Sequence, residues 1–268
     1  QGHHIRCAVN PQTGREERLL RPASAYHKTV LVAGGGPAGM QAALAFAQLG
    51  SSVVLAEAGS CLGGQMIVAQ KPPGKHAIAR LRQYLINEVK ASSIQVRLNT
   101  QVTSQLLAEI KPDVLVIASG SKPVIPDYPG IKSFYSAAEI LDNDPGWEGQ
   151  HIIIVGGGST GCEAADFLSE RNQVTIVEKG KVIAPDMENM SRLELLARLK
   201  QKKVKIFKRT ELETADNEKV SLRSADNNET TVCAYDHVLF AIGNRPVLPE
   251  LDPQSLPDQV FVIGDAKQ

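Results

Sequence analysis

One pattern occurs twice in this chain, and its repetition limits the possible folds more than any other feature of the sequence. From Lys28 an apolar run, Thr29 to Ala33, leads into Gly34, Gly36 and Gly39, then a helical stretch from Pro37 to Leu49 and a second apolar run from Val53 to Ala56. The same order starts again 122 residues later (156 minus 34), with His151 to Val155, Gly156, Gly158 and Gly161, a helical stretch from Ser159 to Glu170, and a strand from Val174 to Val177. GxGxxG is a weak motif alone; placed between a strand and the helix that follows, it reads as a dinucleotide fingerprint.

Each position in the fingerprint has a physical duty. The first glycine permits the tight turn, the second lets a pyrophosphate approach the backbone, and the third allows close helix packing. The helix N-terminus then offers free N–H groups to the phosphate charge. The candidate cradles are Gly34, Gly36, Pro37, Ala38 and Gly39 in the first unit, and Gly156, Gly158, Ser159, Thr160 and Gly161 in the second. About twenty residues on, Glu57 and Glu178 end the next strands, where a carboxylate accepts hydrogen bonds from ribose hydroxyls. An acid at Glu178 repels a ribose 2′-phosphate, which favours NADH over NADPH; Lys179 and Lys181 beside it soften that preference.

Between the repeats, a helix is expected over Lys75 to Ala91, with Ile78, Leu81, Leu85 and Val89 at helical spacing, and strands at Ile94 to Leu98 and Val114 to Ile117. Ser119, Gly120, Pro123, Pro126 and Pro129 mark a stiff crossing. The second unit continues with a helix over Glu188 to Lys202 and strands near Val204 to Phe207, Lys219 to Arg223 and Thr230 to Ala234. A second proline-rich crossing, Arg245 to Pro257, leads to a last strand, Val260 to Ile263, which most simply returns to the first sheet. The expected class is α/β: two Rossmann-like dinucleotide-binding units, the second inserted in the first. The expected boundaries are a linker over residues 1–27, a first domain over 28–122 and 248–268, and a second over 123–247.

Composition excludes other classes. In 268 residues, Lys plus Arg and Asp plus Glu are both 29, so no basic surface points to nucleic acid or an anionic membrane. No apolar run approaches the roughly 20 residues needed to span a bilayer, and Gln1 to Asn10 lacks the apolar core of a signal peptide, so a soluble, cytoplasmic module is expected. The four cysteines, Cys7, Cys61, Cys162 and Cys233, form no CxxC pair and suggest neither a disulfide scaffold nor a self-contained metal site. His3 and His4 are adjacent without other ligand candidates and receive no role.

Further stretches give the chain a resemblance to the two-dinucleotide fold of the nucleotide-disulfide reductase superfamily: Ala118-Ser119-Gly120 before the first crossing, Ala241-Ile242-Gly243 before the return, and Gly264-Asp265 after the last strand. That resemblance implies FAD on the first unit. Asp265 would bind the ribityl chain, Gly64 and Gln65 of the LGGQ stretch would line the flavin, the backbone at Val102 would meet the adenine, and Gly243 would lie beside the second nucleotide. The superfamily's redox disulfide is missing, because Cys61 has no partner a few residues on and Cys162 opens a helix.

The segment from Cys7 through Val9, Asn10 and Pro11 to Glu16, with the KPPGK stretch Lys71 to Lys75, resembles iron–sulfur flavoproteins of the old yellow enzyme class: 2,4-dienoyl-CoA reductase, 2-enoate reductase and trimethylamine dehydrogenase. In that class the matching cysteine is the last ligand of a 4Fe-4S cluster, and the other ligands and an FMN barrel lie upstream. Cys7 is then an orphaned ligand or an ordinary thiol. The resemblance implies a fragment shortened at both ends, since the class continues past Asp265 into a further helix. The expected function is electron entry: hydride passes from NADH on the second unit to FAD across the domain interface, then electrons pass to the missing cluster and FMN for reduction of an enoate or enoyl-CoA double bond. No side chain is assigned as a catalytic acid or base. Two alternatives stand beside it: a structural domain binding ADP without hydride chemistry, as in relatives of trimethylamine dehydrogenase, and a stand-alone NADH oxidase or ferredoxin reductase. The oligomeric state is not readable.

Overall fold

The computed structural model describes residues 7, 9–14, 26–128, 130–131 and 134–267. His3, His4, Arg15, Glu16 and Pro129 lie outside the described residues.

The described chain divides into two compact units, the first comprising residues up to Met66, His76–Gly120 and the chain from Pro246, the second Ile67–Lys75 and Ser121–Arg245. In chain order the first unit supplies β1 (Thr29–Ala33), α1 (Pro37–Gln48), β2 (Ser52–Ala56), α2 (Met66–Ala69, most of which packs with the second unit), α3 (His76–Ala91), β3 (Gln95–Arg97), α4 (Ser104–Ile110) and β4 (Val114–Ile117). The first crossing holds β5 (Ser121–Pro123). There follow β6 (Phe134–Ser136), α5 (Ala137–Asp142), β7 (His151–Val155), α6 (Ser159–Leu168), β8 (Gln173–Glu178), α7 (Asn189–Gln201), β9 (Lys205–Lys208), β10 (Thr210–Ala215), β11 (Lys219–Ser224), β12 (Thr230–Ala234) and β13 (His237–Phe240). The return crossing carries β14 (Asn244–Pro246), and β15 (Gln259–Val262) closes the chain.

The first sheet has the order β15-β4-β1-β2-β3 and the second β6-β13-β7-β8-β9, and every pairing in both is parallel. β15 pairs with β4, so the last strand does return to the first sheet and the second unit is an insertion. The central strands are buried on both faces, as continuous apolar runs such as Val-Leu-Val and Ile-Ile-Ile require. Two buried clusters flank the first sheet, one around Val32, Met40, Leu55 and Val89, the other around Leu31, Leu107 and Leu115. The second sheet has its own pair: Ile154, Leu168, Ile176 and Leu199 beneath the helices, and Ile153, Val177, Val220 and Phe240 against the separate sheet β10-β11-β12.

The repeat extends beyond the glycines. Asp113, just before β4, accepts from the N–H of Thr29 at 2.8 Å, and Asp236, just before β13, accepts from the N–H of His151 at 2.7 Å. Each carboxylate pins the opening residue of the central strand and sets the register of its neighbour.

Several elements differ from the sequence expectation. α6 stops at Leu168 and not Glu170. α2, α4, α5, β5, β6, β10, β13 and β14 are additional, all short: α4 is only seven residues long and is started by Thr103, whose hydroxyl accepts from the Leu106 N–H at 3.3 Å. Segment 67–75 packs with the second unit, where Val68 lies against the core and the Lys75 ammonium meets Glu163 at 2.5 Å.

Candidate nucleotide-binding sites

Both fingerprints fold into the same cradle. Gly34 sits at φ +109° and Gly156 at φ +110°, a region that side chains rarely enter, and a Cβ there would lie 2.4 Å from the Ala118 carbonyl oxygen and 2.3 Å from that of Ala241. A Cβ on Gly39 or Gly161 would fall 1.9 or 2.0 Å from the carbonyl oxygen of Gly34 or Gly156, so only glycine lets α1 and α6 approach the turns they follow. The middle glycines are open instead. At Gly36 the nearest atom to a Cβ is the Gly64 Cα at 3.9 Å, and at Gly158 it is an Asp186 carboxylate oxygen at 3.9 Å. Space over a helix N-terminus, bordered by the Gly64 backbone in the first unit and by the Asp186 carboxylate in the second, is where such a turn takes the pyrophosphate of a dinucleotide.

The two acids are held alike. Glu57 accepts from the N–H of Gly35 at 2.6 Å and of Gly59 at 2.7 Å; Glu178 accepts from Gly157 at 2.6 Å and Gly180 at 2.5 Å. Both carboxylates are thereby fixed against their own fingerprint turn, with lone pairs left for ribose hydroxyls. Below each acid an apolar residue plugs the turn: a Cβ on Gly35 would lie 2.4 Å from Leu62, and one on Gly157 2.8 Å from Ile183. The backbone following the plug is tied to the turn, Gly63 N–H to the Gly35 carbonyl at 2.9 Å and Ala184 N–H to the Gly157 carbonyl at 2.7 Å. Arg82 of α3 and Arg192 of α7 buttress the plugs by donating to the carbonyls of Leu62 and Ile183, in each unit through Nε, at 3.0 and 2.7 Å. Sequence reasoning missed this second layer, although extending the repeat past the acids would have aligned Leu62 with Ile183.

In the first unit the Gly264-Asp265 turn is set against α1, since a Cβ on Gly264 would meet the Ala38 Cβ at 2.9 Å. Asp265 is exposed there, and Gly64 faces Gly36, where a Cβ would meet the Gly36 Cα at 2.8 Å. Ala118, Ser119 and Gly120 follow β4; the Ser119 hydroxyl donates to the Val247 carbonyl at 2.5 Å and Gly120 accepts from the Val247 N–H at 3.0 Å. Gln65 follows Gly64 directly. Val102 lies beyond a segment held to the Glu57 turn through the Asn99 and Thr100 N–H groups, but its side chain is 5% exposed among Leu106 and Leu107.

In the second unit, a cavity of about 510 Å³ opens at the carboxyl ends of β7, β8 and β13, lined by Gly156, Glu178, Lys179, Tyr128 and Ile242 among others. Carboxyl strand ends beside a fingerprint are where open parallel sheets take ligands. Lys179 reaches this cavity, whereas Lys181 does not line it. A second cavity of about 310 Å³ is lined by Ser159, Thr160, Asp186, Gly243 and Asn244. Asp186, absent from the sequence expectation, accepts from the Ser159 N–H at 3.0 Å and from its hydroxyl at 2.6 Å.

The cysteines separate by environment. Cys162 is fully buried in α6 with its thiol donating to the Gly157 carbonyl at 3.4 Å, and burial, followed by the charges of Asp186, Glu163 and Glu178, pushes it up to about 12. Cys7 is exposed; backbone N–H groups of Asn10 and Val9 lower its thiol below the ordinary range. Among the described residues no group of three His, Cys, Asp or Glu side chains could hold a metal ion, and no helix is long and apolar enough to cross a membrane.

A family model for pyridine nucleotide-disulphide oxidoreductases matches residues 28–257. The chain belongs to this family. It is 35% identical over 278 residues to an NADH oxidase of Thermoanaerobacter brockii, covering 99% of the chain and 42% of that protein. It is 32% identical to a bilirubin reductase of Mediterraneibacter gnavus, covering 98% of the chain and 41% of the relative. A 2-naphthoyl-CoA reductase, solved with 2-naphthoyl-CoA, superposes with a TM-score of 0.85 at 25% identity over 98% of the chain and 41% of its own. These relatives match through the FAD- and NAD-binding region of old yellow enzyme-like flavoproteins, and the chain spans about two fifths of their length. By family the chain is thus a flavin- and NAD-dependent oxidoreductase domain, and the residues of both cradles are of the kind that hold such cofactors.

Proposed function

We propose that the chain is an electron-entry module in which the second unit holds NADH and the first holds FAD. The observation that carries this reading is the doubled cradle, complete in both units down to the acid with two N–H donors and the arginine-buttressed plug. When bound, the nicotinamide supplies hydride and the flavin accepts it, so the protein's part is binding and alignment. Gly36, Pro37, Ala38 and Gly39 seat one pyrophosphate, with Gly34 turning the chain, while Glu57 takes the ribose and Gly64, Gln65, Gly264 and Asp265 border the flavin. Gly156, Gly158, Ser159, Thr160 and Gly161 seat the other, with Glu178 on its ribose and Gly243 at the farther cavity. Val102, Ala118, Ser119 and Gly120 complete the FAD side. Glu178 selects NADH by repelling a 2′-phosphate, against the single opposing charge of Lys179 in the cavity.

The longer protein to which such a module belongs would carry a 4Fe-4S cluster, with Cys7 among its ligands, and FMN for reduction of an activated carbon–carbon double bond. Cys7 is exposed, as a thiol that meets a cluster held by other parts of a longer protein would have to be. The alternative reading is a structural ADP-binding domain that performs no hydride transfer. Visible absorbance of the chain with added FAD, followed by anaerobic NADH and separately NADPH, tests the choice. Bleaching by NADH at far lower concentration than NADPH is expected; bound flavin that neither reduces would leave the structural reading.

A further inference from the structure

The turn that carries Asp186 is the counterpart of the LGGQ turn in the first unit. Leu62 aligns with Ile183, and Gln65 with Asp186, at the same offset of 121 residues (183 minus 62; 186 minus 65). One position therefore holds a neutral amide beside the first cradle and a carboxylate beside the second. The carboxylate is not a loosely placed surface charge. Ile183 is 1% exposed and Ala184 is 0% exposed, Ala184 N–H is bonded to the Gly157 carbonyl, and Arg192 clamps the Ile183 carbonyl, so the backbone just before Asp186 is fixed. From there both carboxylate oxygens reach the Ser159 N–H, at 3.0 and 3.3 Å, and one takes the Ser159 hydroxyl at 2.6 Å.

Ser159 N–H is the first free donor of α6, one of the groups that a dinucleotide's pyrophosphate takes at such a turn. We propose that Asp186 is an internal competitor for the nucleotide phosphate: it occupies the donors of Ser159, must leave them for NADH to seat, and so sets a weak, quickly released nucleotide complex on the second unit. This rests on the proposal that the second unit binds NADH. The physical balance is direct. A bound pyrophosphate places negative charge beside a carboxylate that has lost its hydrogen bonds, and both effects raise the dissociation constant. The first unit, with Gln65 at the matching position, has no such charge, which suits a cofactor that stays bound, whereas a reductant must exchange at every turnover.

The test is a calorimetric titration of the 268-residue chain, and of its Asp186→Asn and Asp186→Ala variants, with ADP-ribose, NADH and adenosine. ADP-ribose has the pyrophosphate without the nicotinamide, and adenosine has neither. Both variants should bind ADP-ribose and NADH about 5- to 10-fold more tightly than the parent, the range expected for removing one charge at a helix N-terminus, with adenosine unchanged. Unchanged or weaker ADP-ribose binding in the Asn variant, while the parent still binds it, overturns this inference and leaves the NADH proposal standing. Binding by the variants alone supports it. If no form of the folded chain, verified by circular dichroism, takes ADP-ribose or NADH, both proposals fall together.

Discussion

Gly161 stands where the fingerprint is least forgiving. A methyl group at that position would lie 2.0 Å from the Gly156 carbonyl oxygen, so Gly161→Ala must push α6 away from its turn. A loss of about 1–3 kcal/mol in unfolding free energy is expected, as for overpacked cores, together with at least tenfold weaker ADP-ribose binding by titration. At Glu178, Glu178→Ala should lower the ratio of NADPH to NADH dissociation constants by about tenfold, because the acid that repels a 2′-phosphate is gone while Lys179 remains. The thiols give a third check. Alkylation followed by mass spectrometry should modify Cys7 at a pH below that of an ordinary thiol and leave Cys162 untouched in the folded chain, since the former is exposed with its thiolate favoured and the latter is buried and held protonated up to about 12. The glycines and acids behind these predictions were legible in the sequence, because their spacing is a local property. Asp186 was not: its significance depends on the turn fixed by Ile183 and Arg192, partners whose meeting no local motif announces.

The helices and strands of the second unit place two titratable groups where charge matters. In α6, Asp166 is 1% exposed and takes Arg198 of α7 at 2.9 Å and Lys202, just past the end of α7, at 2.7 Å. Burial pulls the Lys202 ammonium down, but hydrogen bonds and charge from Asp166 and Glu170 outweigh it and raise it overall. Asp166→Ala removes the buried partner, but Arg198 is 38% exposed and Lys202 keeps Glu170, so it should cost about 1–3 kcal/mol by denaturant unfolding, whereas Glu170→Ala, its side chain 61% exposed, should cost less than about 1 kcal/mol. At the start of β13, His237 stacks on Trp147 at 3.6 Å with rings 5° apart, and its buried Nδ1 has no hydrogen-bond partner among the described residues. Burial lowers its basicity from the ordinary 6.5 against the opposing pull of Asp236. The unfolded chain therefore takes the proton first: His237's contribution is complete above about pH 6.5 and is lost as pH falls through the lower folded value. Melting temperatures measured from pH 7.5 to 5 should fall less steeply in His237→Phe, which keeps a stacked ring. β13 itself escaped the sequence because only three apolar residues, Val238 to Phe240, all buried, show no alternation, and their role is set by β6 and β7 on either side. The long helices α1, α3 and α7 were legible to within two residues at either end, since their apolar spacing persists over several turns.

Each unit of the molecule has its own parallel sheet and its own pair of buried clusters, so each can respond to its ligand separately. In differential scanning calorimetry, FAD should raise one component of the melting profile and ADP-ribose another, and Gly161→Ala should depress the ADP-ribose component while sparing the FAD one; a single transition moved equally by either ligand would contradict this. Insertion was legible from the late apolar strand after a second fingerprint. The allegiance of segment 67–75 was not, because its chain neighbours lie in one unit and Val68 packs in the other. The crossings add a last consequence. β5 and β14 are paired strands, and the Val124 N–H bonds to the Gly243 carbonyl at 2.9 Å, so the inserted unit begins and ends at the same place. A domain whose entrance and exit are stitched together adds little loop-closure entropy to its host. Its two ends could therefore be rejoined by a short peptide, and the unit exchanged as a block, without reopening the sheet that hosts it.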